Sequence, residues 1–288
     1  MRISEINNNL VLTNIKDFNL DNIFDCGQCF RWNKQNDGAY IGVANSHALK
    51  ISQKNDTVTL YDTSIEDFNN IWFNYFDFKT NYQEIKEILS NDSVLKSATE
   101  FGDGIRILNQ DLWECVVSFI ISASNNIPRI KKIINTLCEL CGDEINYMGE
   151  TYYSFPTPEK IHSLGISGIE PIKAGFRDKY IISAAEFFMN DFNDAYFELL
   201  DYKSAKKELM RINGIGNKVA DCILLFALSK RNSFPVDVWI KRVVEHFYFE
   251  EEQTIEIIQK FSQEKFGKLG GYAQQYLFYY AREQKIGL

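Results

Sequence analysis

Histidine, long apolar stretches and secretion signals are what this 288-residue chain has little of. Its three histidines, His47, His162 and His246, stand far apart, which argues against a histidine-based metal site or catalytic triad. Apolar runs such as 116–121 are far too short to span a bilayer, and the N-terminus has no apolar signal region. We therefore expect a cytoplasmic, intracellular protein with no membrane partner.

Cysteine is present, but its arrangement argues against disulfides and gives only weak support for a metal site. Two C-x-x-C pairs occur, Cys26 with Cys29 and Cys138 with Cys141, and such pairs can bind zinc. The pairs lie far apart in the chain, and Cys138 falls at a core position of a helix-like run. A reducing compartment disfavours disulfides. We expect no metal here, and a zinc protein remains the alternative that metal analysis would test.

An excess of basic residues is also missing, since the net charge is −8 and the sequence pI is about 5.1. Overall composition therefore gives no sign of a nucleic-acid partner. The charges are unevenly distributed, because positions 203–245 carry nine Lys or Arg against four acidic residues. Arg129, Lys131 and Lys132 form a second basic cluster. A basic face on an acidic body can bind DNA phosphates, although basic runs alone are more often solvated helix faces.

The order of patterns along the chain predicts an α+β protein. Residues 1–100 contain short alternating segments between turn signals, typical of an antiparallel β-sheet domain. Residues 101–288 contain amphipathic segments between polar, Gly or Pro breaks, typical of a mainly α-helical body. We expect strands over 39–44, 47–53 and 57–62, and helices over 82–89, 111–123, 127–141, 158–163, 177–189, 193–200, 203–212, 218–229, 237–247, 252–266 and 271–284.

The segment 203–229 predicts two helices joined by the hairpin N-G-I-G-N at positions 213–217. Gly214 and Gly216, two positions apart, let the backbone turn tightly and approach a phosphate closely. The free N–H groups at the start of the second helix then face that anion. This pattern favours a site for a DNA phosphate, although a glycine hairpin by itself is a weak signal.

Two residues with useful chemistry accompany the hairpin. Lys218, at the start of the second helix, carries a primary amine that can act as a nucleophile. Asp237 follows Pro235-Val236 at the start of another helix, where a carboxylate can stabilise developing positive charge. Outside this combination, a helical lysine is usually a solvated surface charge and such an aspartate is usually an N-cap.

The hairpin, Lys218 and the P-V-D segment at this spacing closely resemble the signature of the helix-hairpin-helix, Gly/Pro-Asp DNA glycosylases. The form with a lysine directly after the hairpin resembles the bifunctional glycosylase/lyases. The resemblance implies a two-lobed helical glycosylase body with DNA docked between the lobes. It also implies that Lys218 forms a Schiff base, that Asp237 supports the positive charge, and that Gly214 and Gly216 contact DNA.

The segment C-G-Q-C-F-R-W at 26–32 resembles the G-Q-x-F-R-W loop of the 8-oxoguanine DNA glycosylases. The resemblance implies that the Gly27 carbonyl accepts a hydrogen bond from N7–H of the lesion. Guanine has an acceptor at N7 whereas 8-oxoguanine has a donor, so this carbonyl would favour the lesion. Alone, Gly27 would be interpreted as a turn glycine.

Residues 270–282 resemble the G-x-A-Q-x-x-L-F helix of the same enzymes. The resemblance implies that Gln274 reads the Watson–Crick edge of a flipped base and that Phe278, one turn later, stacks on it. Cys222, in a K-V-A-D-C segment, would close the other side of that stack. The alternatives are core packing for Phe278 and Cys222 and a surface amide for Gln274.

The run 118–130 resembles S-F-x-x-S-x-N-N-N-I-x-R-I, with Ser124 in place of the first asparagine of the triplet. The resemblance implies that Asn126 and Arg129 lie on DNA. A serine fills less of the gap left by a flipped base than asparagine does, so we expect looser discrimination for cytosine opposite the lesion.

Gly175-Phe176-Arg177 resembles the wedge aromatic and following arginine of these enzymes. The resemblance implies that Phe176 intercalates into the duplex and that Arg177, with Arg129, contacts the estranged cytosine. The alternative is that both arginines bind phosphates or are surface charges.

Together the resemblances imply a base-excision-repair enzyme that flips and removes 8-oxoguanine through a lysine Schiff base, followed by β-elimination at the abasic site. The expected partner is double-stranded DNA containing an oxidised purine, the expected state is a monomer, and no cofactor or metal is needed. One alternative is an alkylpurine glycosylase of the same superfamily, which Lys218 disfavours because such enzymes generally use the aspartate alone with water. Another is a non-catalytic helix-hairpin-helix DNA-binding protein, which the presence of both Lys218 and Asp237 disfavours.

Overall fold

A six-stranded antiparallel sheet forms the N-terminal part of the chain in the computed structural model, which describes residues 1–286 without the side chains at positions 194 and 198. Its strands are β1 (Arg2–Ile6), β2 (Asn9–Thr13), β3 (Trp32–Lys34), β4 (Tyr40–Ala44), β5 (His47–Lys54) and β6 (Thr57–Leu60). Their order across the sheet is β1-β2-β6-β5-β4-β3. Leu10 and Ile51 both pair with Leu60, and all three are buried. Across β2, β6 and β5, one face of the sheet is therefore a continuous apolar surface, because alternate residues point to the same side.

Helices make up most of the rest of the described chain. The α-helices are α1 (Leu20–Asp25), α2 (Ile65–Asp67), α3 (Phe73–Tyr75), α4 (Tyr82–Leu89), α5 (Ser93–Phe101), α6 (Leu112–Ser122), α7 (Ile127–Cys141), α8 (Pro158–Ile169), α9 (Asp178–Asn190), α10 (Asp194–Leu199), α11 (Tyr202–Leu209), α12 (Asn217–Phe226), α13 (Val238–Tyr248), α14 (Ile255–Phe266) and α15 (Gly270–Gln284). A π-helical turn covers Phe68–Trp72, and 3-10 turns cover Glu170–Ile172, Gly175–Arg177 and Gly267–Leu269. The expected α+β architecture is confirmed.

The two parts have separate apolar cores. The sheet core is rich in aromatic rings, and the rings of Phe24 and Trp32 stack with centres 4.3 Å apart. The core of the helical body includes Ile121 and Leu224, both fully buried. It also takes in Tyr82 of α4 and further residues of α5, so packing draws these two helices into the helical body. The domain boundary at residue 100 stays a prediction.

A two-stranded hairpin, β7 (Glu144–Tyr147) and β8 (Glu150–Tyr153), interrupts the helical body and was not predicted. Its turn places Met148 at φ 52° and Gly149 at φ 83°, the left-handed pair that a two-residue hairpin turn needs. A methionine in this conformation is unusual, which is why the sequence signal was weak. Tyr147 docks the hairpin on the sheet, since its hydroxyl donates to the Tyr61 carbonyl at 2.6 Å.

Some helix bounds differ from the prediction. The helix expected over 203–212 ends at Leu209, because the chain then turns and Ile215 N–H donates to the Ile212 carbonyl at 3.1 Å. The helix expected over 158–163 continues to Ile169 across a kink at Gly165, where φ is 62°. Over residues 1–286, no helix combines the length and apolar character needed to cross a bilayer.

Candidate active site and DNA-binding face

Segments distant in the chain meet around one pocket. It lies where the N-terminal end of α12, the N-terminal end of α13, the face of α15 and the loop after α1 converge. The six residues predicted for catalysis and base recognition all line it. Its lining comprises Cys26, Gly27, Phe119, Lys218, Cys222, Phe226, Pro235, Asp237, Gln274, Gln275 and Phe278.

The hairpin before α12 has the glycine geometry that its sequence requires. Gly214 has φ 91°, and a Cβ there would lie 2.5 Å from Cγ of Tyr180, so only glycine fits. Gly216 is the N-cap of α12, and a Cβ there would meet no atom within 4 Å. No side chain caps this helix, so its first N–H groups are open to an anion from outside. A DNA phosphate at this point stays a prediction.

Lys218 is half-buried and points into the pocket, which is not the position of an ordinary surface lysine. Its Nζ lies 5.3 Å from the centre of the Phe119 ring, close enough for a cation–π contact. Cys222, one turn further along α12, lines the same pocket. Burial raises the pKa of the Cys222 thiol to about 11, with Lys218 partly opposing the shift, so at neutral pH this group is a neutral wall of the pocket.

Asp237 is the N-cap of α13, since its Oδ1 accepts a hydrogen bond from Ile240 N–H at 2.7 Å. The capping interpretation is thus correct, and it does not exclude the catalytic one, because Asp237 also lines the pocket beside Lys218. The hydrogen bond of the cap fixes the carboxylate in one orientation. A fixed carboxylate suits a group that must stabilise positive charge at one point.

A buried ion pair joins α12, the helix that carries Lys218, to α11. Asp221 of α12 is fully buried and lies 2.8 Å from Nζ of Lys206 on α11. Burial raises the pKa of this carboxyl, while Lys206 and a hydrogen bond from the Tyr202 hydroxyl at 2.6 Å oppose the shift. Ser233, in the segment leading to Asp237, donates to the Asp221 carbonyl at 2.8 Å. The network therefore ties the start of α13 to α12.

The base-recognition residues form the opposite wall. Gln274 is 6% exposed, and among the described residues its Oε1 has no hydrogen-bond partner. A buried acceptor without a donor is costly, so this atom is a natural contact for a ligand. Phe278 lies one turn later on α15, with Cε1 3.2 Å from where a Cβ on Gly27 would stand. Gly27 has φ 83°, a backbone conformation that favours glycine, and a Cβ there would also press on the Phe278 ring.

Five residues of the pocket wall were not among the predicted site residues: Cys26, Phe119, Phe226, Pro235 and Gln275. Phe119 stood inside the run 118–130, and Gln275 directly follows Gln274. Nothing in the local pattern separates them from ordinary core residues, because their role comes from contacts with distant segments.

The residues predicted to read the opposite strand lie apart from this pocket, on the surface formed by the start of α7 and the segment before α9. Asn126 is the N-cap of α7, accepting from Arg129 N–H at 3.0 Å. The Arg129 side chain is exposed, with Nη2 3.4 Å from the Lys173 carbonyl. Phe176 is 58% exposed, as a wedge would be. Their DNA contacts stay predictions.

Arg177 differs from the surface position that was the alternative interpretation, because it is only 3% exposed. Its guanidinium donates to the carbonyls of Ala123, Ala174 and Ser124, the last at 3.1 Å. Ser124 itself has φ 50°, a left-handed conformation that asparagine adopts more readily than serine. In this structure Arg177 braces the turn that presents Ser124, and its contact with cytosine stays a prediction.

Within residues 1–286, no group of three or more His, Cys, Asp or Glu side chains is placed to hold a metal ion. The thiols of the two C-x-x-C pairs make local contacts instead: Cys26 donates to the Ile23 carbonyl at 3.2 Å and Cys141 to the Leu137 carbonyl at 3.4 Å. The zinc interpretation of these pairs gains no support from this arrangement.

Comparison with known proteins agrees with this geometry over nearly the whole chain. The model of the 8-oxoguanine DNA glycosylase N-terminal domain matches residues 10–116, and that of the HhH-GPD superfamily of base excision DNA repair proteins matches residues 117–268. The N-glycosylase/DNA lyase of Saccharomyces cerevisiae is 31% identical over 255 residues, which cover 80% of this chain and 68% of the yeast protein.

Two solved structures are similar to this one along their full length. The Clostridium acetobutylicum 8-oxoguanine glycosylase/lyase, in complex with double-stranded DNA containing cytosine opposite 8-oxoguanine, is 43% identical with a TM-score of 0.96, covering 99% of each chain. MBOgg1, in complex with a low-affinity DNA ligand, is 46% identical with a TM-score of 0.96 and the same coverage. The chain therefore belongs to the 8-oxoguanine DNA glycosylases of the HhH-GPD superfamily of base excision DNA repair proteins.

Proposed function

We propose that this protein excises 8-oxoguanine from double-stranded DNA through a Schiff base on Lys218 and then cleaves the strand by β-elimination. The observation that carries the proposal is one pocket lined by Lys218, Asp237 and Gln274, in which the buried Oε1 of Gln274 has no hydrogen-bond partner among the described residues. A nucleophile, a charge stabiliser and a polar reader of a base are the parts that such a reaction needs.

Recognition begins with a base turned out of the duplex, because its sugar carbon is inaccessible inside the stack. Phe278 and Cys222 enclose the base from its two faces. The Gly27 carbonyl accepts from N7–H, which 8-oxoguanine has and guanine lacks. The Oε1 of Gln274 accepts from the Watson–Crick edge, so the burial of this atom is compensated only when a purine with donors there is bound.

The chemistry then passes through C1′ of the damaged nucleotide. As the bond from C1′ to the base breaks, C1′ takes on oxocarbenium character, and the Asp237 carboxylate stabilises that positive charge. The unprotonated Lys218 amine forms the new bond to C1′ as the bond to the base breaks, and one proton of the amine leaves with the base. The C1′–O4′ bond then breaks to give the protonated imine, and O4′ takes a proton from water. Loss of a C2′ proton then expels the 3′ phosphate, and water releases the lysine.

The proposed partner is double-stranded DNA containing an oxidised purine, bound by a monomer inside the cell. Support comes from the open N–H groups at the start of α12 and from Arg129 and Phe176, whose exposed side chains are available to contact DNA. The pocket residues read the flipped base, and Arg129 and Phe176 contact the DNA around the base that was paired with it. One copy of the chain supplies both sets of residues.

Borohydride trapping tests the proposal directly. The protein is incubated with duplexes carrying 8-oxoguanine opposite each of the four bases, with an undamaged duplex and with one carrying an alkylated purine. We expect a covalent product with 8-oxoguanine and none with undamaged DNA. Excision of the alkylated purine alone, without trapping, would favour the alkylpurine glycosylase. Binding without excision of any base would favour a non-catalytic DNA-binding protein.

A further inference from the structure

Helix α15 holds the recognition loop as well as contributing to the pocket. Gln275 is 2% exposed, and its Nε2 donates to the Cys26 carbonyl at 2.7 Å. Arg282, two turns further along α15, donates from Nη2 to the Asp25 carbonyl at 2.5 Å. Two consecutive carbonyls before Gly27 are thus bonded to the same helix.

The carbonyl after Gly27 is also held, since Gln28 O accepts from Nε2 of Gln110 at 2.7 Å. The Gln28 side chain is itself fully buried, and its Nε2 donates to the Arg106 carbonyl at 2.7 Å. Of the four carbonyls from Asp25 to Gln28, only that of Gly27 has no recorded donor within residues 1–286. The loop is therefore held by hydrogen bonds on both sides of Gly27, whose carbonyl accepts none from the described residues.

The same side chains also contact the aromatic wall. The Arg282 guanidinium lies 5.7 Å from the centre of the Phe278 ring, and its Nη1 is 3.8 Å from where a Cβ on Gly27 would stand. Gln274 and Phe278 belong to α15 as well. The helix that reads the Watson–Crick edge and stacks on the base therefore also sets the distance to the acceptor for N7–H.

We infer that Gln275 and Arg282 are positioning residues that aim the Gly27 carbonyl at N7 of the flipped base and so set the preference for 8-oxoguanine over guanine. The inference rests on the proposed function. A hydrogen bond weakens steeply when its angle or length departs from the optimum, and the lesion differs from guanine here by the direction of a single bond. A loop freed from α15 keeps its glycine but loses that discrimination.

The experiment uses Gln275→Leu and Arg282→Met in the full-length protein and measures two single-turnover reactions. The first is excision of 8-oxoguanine, compared with excision of guanine at the same position, and the second is β-elimination at a preformed abasic site, which has no base to read. We expect excision to fall on the order of tenfold to a hundredfold, as small misplacements in an active site do. In Arg282→Met, cleavage of the abasic site remains at the wild-type rate, and Arg282→Lys, which keeps a charged donor, restores most of the excision.

Tyr279→Phe is the matched control. It removes the hydrogen bond from the Tyr279 hydroxyl to Oδ1 of Asn22 at 2.9 Å, which also joins α15 to α1 but touches none of the loop carbonyls. Both reactions of this variant remain at the wild-type rate. Arg282 is partly exposed, so Arg282→Met tests the inference even if the buried Gln275→Leu does not fold.

Two results would overturn the inference while leaving the function intact: wild-type excision by both variants, or parallel loss of excision and abasic-site cleavage. A wild-type protein that excises no 8-oxoguanine would instead overturn the proposed function itself.

Discussion

The lesion pocket and the opposite-strand face of this protein are built in different ways. In the pocket, Gln274 and Cys222 are nearly completely buried, and the Gln274 acceptor lacks a partner among the described residues. On the opposite-strand face, Phe176 is exposed. Asn126 accepts a hydrogen bond from the backbone N–H of Arg129, and Arg177 donates to the backbone carbonyl of Ser124. The pocket therefore keeps a buried acceptor available for a ligand, whereas Asn126 and Arg177 on the face stabilise a helix start and a turn.

This difference shows where a motif match predicts the position of a side chain and where it does not. A motif residue in a buried pocket has its side-chain direction set by packing, so a match in type predicts its place closely. A motif residue at an exposed turn can satisfy the turn alone, as Asn126 does by capping α7. We therefore expect substitutions in the pocket to have larger effects than substitutions on the face.

Lys218→Gln should have the largest effect and abolish both base excision and covalent trapping. An amide nitrogen cannot form an imine, whereas glutamine preserves most of the side-chain volume beside Phe119. Borohydride trapping measures the loss, and a gel-shift assay with the same duplex should show binding unchanged. Trapping of the variant at the wild-type level would show that another amine performs the reaction.

Asp237→Asn should lower the excision rate by on the order of 10²–10³, the loss typical of one electrostatic stabiliser. Asparagine is as good an N-cap as aspartate, so the bond to Ile240 N–H and the free energy of unfolding should be kept. Single-turnover rates and a denaturant titration separate the two effects. An unchanged rate would leave Asp237 as a helix cap only.

Phe278→Ala and Phe176→Ala test the comparison as a pair. Phe278→Ala should lower excision of 8-oxoguanine by about tenfold or more, because stacking on a base contributes roughly 1–3 kcal/mol, and it should spare cleavage of an abasic site. Phe176 acts on the duplex rather than on the base, so Phe176→Ala should slow both reactions. Because Phe176 is exposed, its loss should not lower the melting temperature. If Phe278→Ala slowed both reactions and Phe176→Ala slowed only excision, the proposed roles of the two rings would be exchanged.

Ser124→Asn should have the smallest effect and sharpen the preference for cytosine opposite the lesion. We expect the wild type to excise best opposite cytosine and within about tenfold opposite the other bases, the 1.4 kcal/mol of one ordinary hydrogen bond. Asparagine adds a donor and an acceptor and also suits φ 50° at this position. Rates opposite all four bases measure the change. A several-hundredfold cytosine preference in the wild type would show that Asn125 or Asn126 already provides it.

Much of the fold follows from local patterns. The helices of the body appear where their periodicity predicts them, as for α7, whose predicted and observed bounds agree at 127–141. The hairpin of β7 and β8 does not, because its turn depends on a left-handed Met148 that no turn signal announces. The first two strands and α5 were also not placed individually, since short segments carry little periodicity.

The site divides in the same way. The hairpin glycines, Lys218 and Asp237 could be proposed as site residues because the pattern that marks them lies within one segment. Gln275 was not, because its donor and the Cys26 carbonyl are 249 residues apart in the chain. The ion pair of Asp221 could not be predicted either, because its partner Lys206 lies on another helix.

By itself the sequence determined the α+β class and the hairpin, because periodicity, turn geometry and helix starts are properties of short stretches of chain, and it supplied the candidates Lys218 and Asp237 for the reaction. Only the tertiary structure decided that α15 closes the pocket against the loop after α1, that Gly27 presents the free carbonyl among four, and that Arg177 is buried. These depend on long-range packing, in which a side chain's role is set by partners that no local pattern identifies.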